Sequence, residues 1–202
     1  MTLLSTMNRV AAQASLPTLT IVKTNTARTA TELLQLAYEA GEEIARRAEW
    51  SNLYKEATIA SGSTSYALPD DFHRLIQGGA IVLNDANKTP LIPVKSADIW
   101  SAMVANATTQ PYFFIKSGYV EFASALTSSA TIRYISSKWI LSGTSSLNAY
   151  STDGDTARFS ESLLALGILW RYKRVKGLRY DDLQSEFEAE LAREIAADRG
   201  IS

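Results

Sequence analysis

The chain has no cysteine and a single histidine, His73. Disulfides, thiolate metal sites and cysteine nucleophiles are therefore excluded, and histidine catalysis has one candidate. No run approaches the roughly 20 apolar residues that a membrane span needs, so no membrane partner is expected. The opening MTLLSTMNRVAAQASLP lacks a basic start and an unbroken apolar core, so a secretory signal is not expected. Net charge is scarce too. At −1 over 202 residues, whole-molecule attraction to nucleic acid or anionic lipid is not expected. Phosphate-binding loops, nucleophile elbows and zinc spacings are missing. What is there is 46% apolar and 20% charged, which suits one domain or a domain with an elaborate insert. The expectation is a soluble cytoplasmic domain, not an enzyme and without a cofactor.

Residues 2–14 read as a short amphipathic helix, with Leu3, Met7, Val10, Ala11 and Ala14 at three- and four-residue steps and Pro17 beyond the end. A Thr-rich connector leads to a long helix over residues 30–50. Its stripe is Leu33, Leu34, Ala37, Ile44 and Ala45, and Glu42–Arg46 and Glu43–Arg47 are favourable i, i+4 pairs. From residue 51 to 155 charge thins and Ser and Thr rise. Strands are expected at 54–59, 65–68, 80–83, 112–115, 119–122 and 131–135, with a hairpin turn at Ser117-Gly118. A helix over 96–104 interrupts them, capped by Ser96, with Ile99, Trp100 and Met103 facing inward. Residues 141–156 are polar and turn-rich and read as a loop.

The last forty residues form a helical hairpin. Ser160 is a good N-cap, and Phe159 and Leu164 are placed for a hydrophobic staple. Leu163, Leu164, Gly167, Ile168, Trp170 and Val175 form the expected buried stripe. Gly177 ends the first arm, and a second helix from about Tyr180 repeats Leu183, Phe187, Leu191 and Ile195. The expected fold is α+β, mainly α: a helical frame with a small antiparallel β module inserted. Residues 1–50 supply the N-terminal helices, 51–157 the β-rich module with one short helix, and 158–202 the hairpin that completes the helical domain.

The two arms carry opposite charge. The first holds Arg158, Arg171, Lys173, Arg174, Lys176 and Arg179 against Glu161. The second holds Asp181, Asp182, Glu186, Glu188, Glu190, Glu194 and Asp198 against Arg193 and Arg199. Asp182, Glu186, Glu190 and Glu194 recur at four-residue steps, where like charges destabilise an isolated helix by about 0.2–0.5 kcal/mol per pair. Arg174 is within reach of Asp182, and Arg171 of Glu186. Glu190 and Glu194 run short of partners within the hairpin. Either this is a solvated face with dipole-matched ends, or the acids meet the basic face of a neighbouring copy. On the second reading Arg171, Arg174, Lys176, Asp182, Glu186, Glu190 and Glu194 are the candidate subunit or portal interface.

Other constellations are weaker. His73 lies near Asp70 and Asp71, which admits a general-base or metal role or a plain turn with an exposed histidine. Asp153-Gly154-Asp155 resembles the start of a calcium loop, but the twelfth residue is Leu164 where a carboxylate is needed, so it reads as an ordinary turn. Glu42, Glu43 and Glu49 could be cast as a glycosidase pair, yet nothing marks a cleft. The basic run over 171–176 invites a nucleic-acid reading, which the acidic arm cancels. No catalytic, cofactor-binding or metal-binding residue is assigned.

Taken in order, several segments resemble the head-to-tail adaptor (connector) family of tailed bacteriophages, of the short-tailed type. They are Thr2-Leu-Leu-Ser-Thr-Met-Asn-Arg9, the stretch from Glu32 to Arg47 followed by Trp50, Tyr66-Ala-Leu-Pro-Asp-Asp-Phe72, and above all the stretch from Leu163 to Tyr180. The resemblance implies a helical protein with a β insert that forms a ring, usually of twelve copies. Such a ring sits in the virion neck beneath the portal after assembly in the host cytoplasm. It binds the portal on one side and a tail, nozzle or plug protein on the other, and DNA passes its lumen without sequence-specific binding. Portal contact in relatives often uses C-terminal segments, here the last helix and its end, residues 198–202. The alternatives are a tail-associated peptidoglycan hydrolase, a nucleic-acid-binding accessory factor, or another neck protein such as a stopper.

Overall fold

The computed structural model describes residues 2–106 and 112–200. Of the C-terminal segment 198–202 expected at the portal, residues 201 and 202 lie outside the described residues. In chain order the elements are α1 (Leu3–Gln13), α2 (Arg28–Arg47), a 3-10 turn (Ser51–Leu53), β1 (Tyr54–Ile59), β2 (Ser65–Ala67), β3 (Phe72–Leu75), β4 (Ile81–Leu83) and β5 (Ile92–Pro93). There follow α3 (Ala97–Ala105), β6 (Tyr112–Lys116), β7 (Tyr119–Phe122), β8 (Ala130–Ser136), β9 (Ile140–Ser142), β10 (Ser145–Leu147), β11 (Thr156–Ala157), α4 (Glu161–Val175) and α5 (Asp181–Asp198). The chain divides into two units, Met1–Leu53 with Ser137–Ser202, and Tyr54–Ser136.

The first unit is built around α4, against which α1, α2 and α5 all pack. α1 begins with a reciprocal cap: the Thr2 hydroxyl accepts from the Ser5 N–H at 3.2 Å and the Ser5 hydroxyl from the Thr2 N–H at 2.9 Å. Its stripe of Leu3, Met7, Val10 and Ala11 is buried. The connector after α1 is pinned by side chains. Asn8 Oδ1 accepts from the Leu19 N–H (2.7 Å), and the Asn8 amide donates to the Leu19 carbonyl (2.9 Å). Asp153 accepts from the Val22 and Lys23 N–H groups. Asp155 is buried and accepts from the backbone and hydroxyls of Ser151 and Thr152. The carbonyls of Asp153 and Asp155 take the N–H groups of Leu4 and Leu3, orphan donors in the first turn of α1. The Asp-Gly-Asp turn is thus the fastening point of the N-terminal segment.

The second unit is a β structure centred on β8. β1 runs antiparallel along one edge of β8, from the pair Tyr54↔Ile135 to Ile59↔Ala130. The other edge is shared: β4 pairs with residues 130–132 and β3 with 134–136. A second sheet has the order β2-β7-β6-β5, in which β5 and β6 are parallel. Ile59, Ile81, Phe113, Val120 and Ile132 lie in the buried core. α3 is capped by Ser96 and stacks Trp100 on Phe114 at 5.6 Å.

These sheets correct the expected fold class. The described residues carry eleven strands in three sheets, so the chain is not a mainly helical frame with a small antiparallel module. One sheet, β10-β9-β11, is built from the segment that reads as loop, and another contains a parallel pair. The reason is strand length. Runs of two to four residues rich in Ser and Thr are too short to display alternation, and they become strands only through their partners. Two inward-facing expectations also fail. Ile99 is 54% exposed because α3 packs mainly through Trp100, and Val175 is 60% exposed because it is the last residue of α4.

Candidate interaction surface

α4 starts as its sequence requires, with the Ser160 hydroxyl accepting from the Leu163 N–H at 3.1 Å. It ends before Gly177, whose φ is 67°. Leu163, Leu164, Ile168 and Trp170 are buried. At Gly167 a Cβ would stand 3.1 Å from Ala40 Cβ and 3.2 Å from the Phe187 ring, so α2 and α5 both close on α4 there. On α5 only Phe187 and Leu191 are fully buried, and much of its remaining surface is exposed.

The cations of α4 fall into different environments. Arg171 is only 3% exposed. It donates to the Gly167 carbonyl at 2.6 Å and to the Glu43 carboxylate on α2, and it lies 4.3 Å from the centroid of the Trp170 ring. Burial pushes its guanidinium below the usual value, while Glu43 and Glu39 pull it back up. Arg174 is exposed and lies over the same indole, 4.9 Å from its centroid. Lys176 bonds Glu32 at 2.6 Å, and Glu32 also takes Arg28 at 2.8 Å. The hydrogen bond from Lys176, then that from Arg28, hold the Glu32 carboxyl below the usual range.

The acids of α5 do not share one strip. Four residues carry a helix roughly 40° past a full turn, so the series winds around it. Asp182 and Glu186 are exposed, whereas Glu190 and Glu194 are half-buried. Asp182 pairs with Arg179 at 3.0 Å, Glu190 with Arg193 at 2.5 Å, and Glu194 accepts from the Ser160 hydroxyl. Glu186 has no partner among the described residues. The pairings Arg174–Asp182 and Arg171–Glu186 are not formed. Two further acids act as ties: Glu188 takes Arg47 of α2, and Asp198 accepts from the Ser51 N–H (2.9 Å) and hydroxyl (2.6 Å).

Two grooves flank α2 and α4. One, of about 480 Å³, is lined by Glu39, Glu42, Glu43, Arg46, Arg171 and Arg174 among others. The other, of about 500 Å³, is mainly apolar and is lined by Arg28, Glu32, Leu36, Tyr172 and Val175 among others. The second groove is not legible in the sequence, where Val175 falls in the expected buried stripe. Nor is Glu43 legible there as the partner of Arg171, because nothing local links residues 128 positions apart. The weaker constellations disperse. His73 lies exposed on β3 beside Arg74, 3.1 Å away, while Asp71 is buried and accepts from Lys55 (2.5 Å), Tyr134 (2.9 Å) and Ser136 (2.8 Å).

No helix among the described residues is long and apolar enough to cross a membrane. A comparison with curated proteins finds no match. The model of the SU10 adaptor protein family matches residues 1–201. With its α4-centred helices and its β8-centred sheets covered by that match from end to end, the chain belongs to the SU10 adaptor protein family, a family of phage head–tail adaptors.

Proposed function

We propose that this structural phage protein assembles head to tail into a ring of twelve copies beneath the portal, at the head–tail junction. The ring lengthens the DNA channel and bridges the portal to a tail, nozzle or plug protein. DNA passes its lumen without sequence-specific contacts. The family match over residues 1–201 carries this reading. The charge distribution supports it, because a heterologous contact between unlike faces closes into a ring when the rotation permits.

Within the contact, Asp182 and Glu186 are the acids that face solvent, and Arg174 is the exposed cation set over Trp170. Arg171, Lys176, Glu190 and Glu194 have partners in their own chain and shape that surface. The test is to mix the purified chain with the portal protein of the same phage and image the product by electron microscopy. A second ring stacked on the portal is expected. Portals that remain bare at saturating protein would end the proposal.

A further inference from the structure

We propose that α3 of one copy docks in the apolar groove between α2 and α4 of the next, through Asp98 and Ile99 on α3 and Leu36, Tyr172 and Val175 in the groove. The proposal rests on the assembly reading above in requiring copies that associate. The groove, at about 500 Å³, has the capacity of a side-chain binding site. Its mouth carries Val175, 60% exposed, and beyond the helix end Leu178 is 55% exposed. Val175 thus joins an exposed apolar side chain to a concave apolar surface, the combination that a partner's side chain fits.

Charge selects the occupant. Arg28 and Lys176 both pair with the single acid Glu32, so that edge of the groove has an excess of positive charge. The guest should be apolar and carry an acid. Among the other exposed apolar side chains, Ile21 is followed by Lys23 and Ile115 by Lys116, with no acid within three residues of either. Tyr54 donates to Glu56, which already pairs with Arg133. α3 fits. Its nine residues hold one charge, Asp98, and only Trp100 is buried, so Ile99 (54%) and Val104 (49%) stand in solvent with Ala102 and Ala105. An amphipathic helix laid in an apolar groove is an established recognition mode.

The absence of cysteine makes the test clean. Ile99→Cys and Val175→Cys, both at exposed positions, are installed singly and together in the full chain and oxidised. The double variant should give a ladder of disulfide-linked oligomers on a non-reducing gel. A mixture of the two single variants should give a dimer, and each single variant alone should stay monomeric. Val175→Asp should weaken self-association in sedimentation by about tenfold or more. Electron microscopy of the same samples mixed with the portal protein separates the two readings. A ladder with open filaments keeps this contact and overturns the ring. Rings without a ladder overturn this contact and keep the ring, and Val175→Cys pairing with itself overturns this contact. Neither ladder nor assembly overturns both.

Discussion

Gly41 lies directly against Trp139: a Cβ on residue 41 would stand 2.1 Å from the indole Cη2. Trp139 is 2% exposed, edge-on to Tyr150 at 5.6 Å and stacked on Phe159 at 6.0 Å. The ring therefore has nowhere to retreat. Gly41→Ala should destabilise the chain by about 2–3 kcal/mol, the cost of overpacking a filled core, although alanine is the better helix former by about 1 kcal/mol. Urea unfolding followed by tryptophan fluorescence measures it, and a neutral or stabilising result would contradict this packing.

The Arg171–Glu43 pair predicts an order of mutational effects. Glu43→Gln leaves a guanidinium that is 3% exposed without its carboxylate and should cost about 2 kcal/mol. Arg171→Met removes the buried charge itself and keeps much of the volume, so it should cost less. Equilibrium unfolding of the two variants compares them, and the reverse order would show that Glu43 contributes little.

Asp71 gives the β unit an acid limit. Burial pushes its carboxyl up, and the hydrogen bonds from Lys55, Ser136 and Tyr134 more than offset this, so it lies below the ordinary 3.8. A depressed folded-state value means stability that is present above 3.8 and lost as pH falls through the lower value. Asp71→Asn should cost about 2 kcal/mol at neutral pH, and its deficit relative to wild type should shrink as the medium is acidified below that point. A deficit independent of pH would show that the carboxylate charge is not what the site uses.

The exposed acids of α5 predict a salt-sensitive assembly. Asp182→Lys with Glu186→Lys should impair ring formation while leaving the circular dichroism of the monomer unchanged. Wild-type rings should loosen as ionic strength rises past physiological, where the screening length is about 8 Å. Assembly by the double variant at wild-type levels would remove these acids from the interface.

The long periodic segments were readable in advance. α1, α2, α4 and α5 emerge within a few residues of where apolar spacing and caps place them, and β1 and β7 match from end to end. β3 was not readable, because Phe-His-Arg-Leu after Pro69 looks like the exit of a turn, and only the spare edge of β8 makes it a strand. β9, β10 and β11 were lost in polar sequence for the same reason. The charge split of the hairpin is plain in the sequence. Its resolution is not, since Glu43, Glu32 and Ser160 take up Arg171, Lys176 and Glu194 from other elements. Val175 and Ile99 stand exposed where spacing predicts burial, because helical spacing says which residues share a face, but not where a neighbour stops covering it.

The pairing of Tyr54 with Ile135 has an evolutionary consequence. The chain leaves for the β unit at residue 54 and comes back at residue 136, and those two ends are adjacent antiparallel strands. Everything between them hangs from a single stem. A gene segment encoding such a cassette can be exchanged, enlarged or trimmed at its far end without re-threading the helices, because insertions far from a closed stem cost little loop entropy. Size and sequence can therefore vary at the far end of that cassette while the hairpin is inherited unaltered.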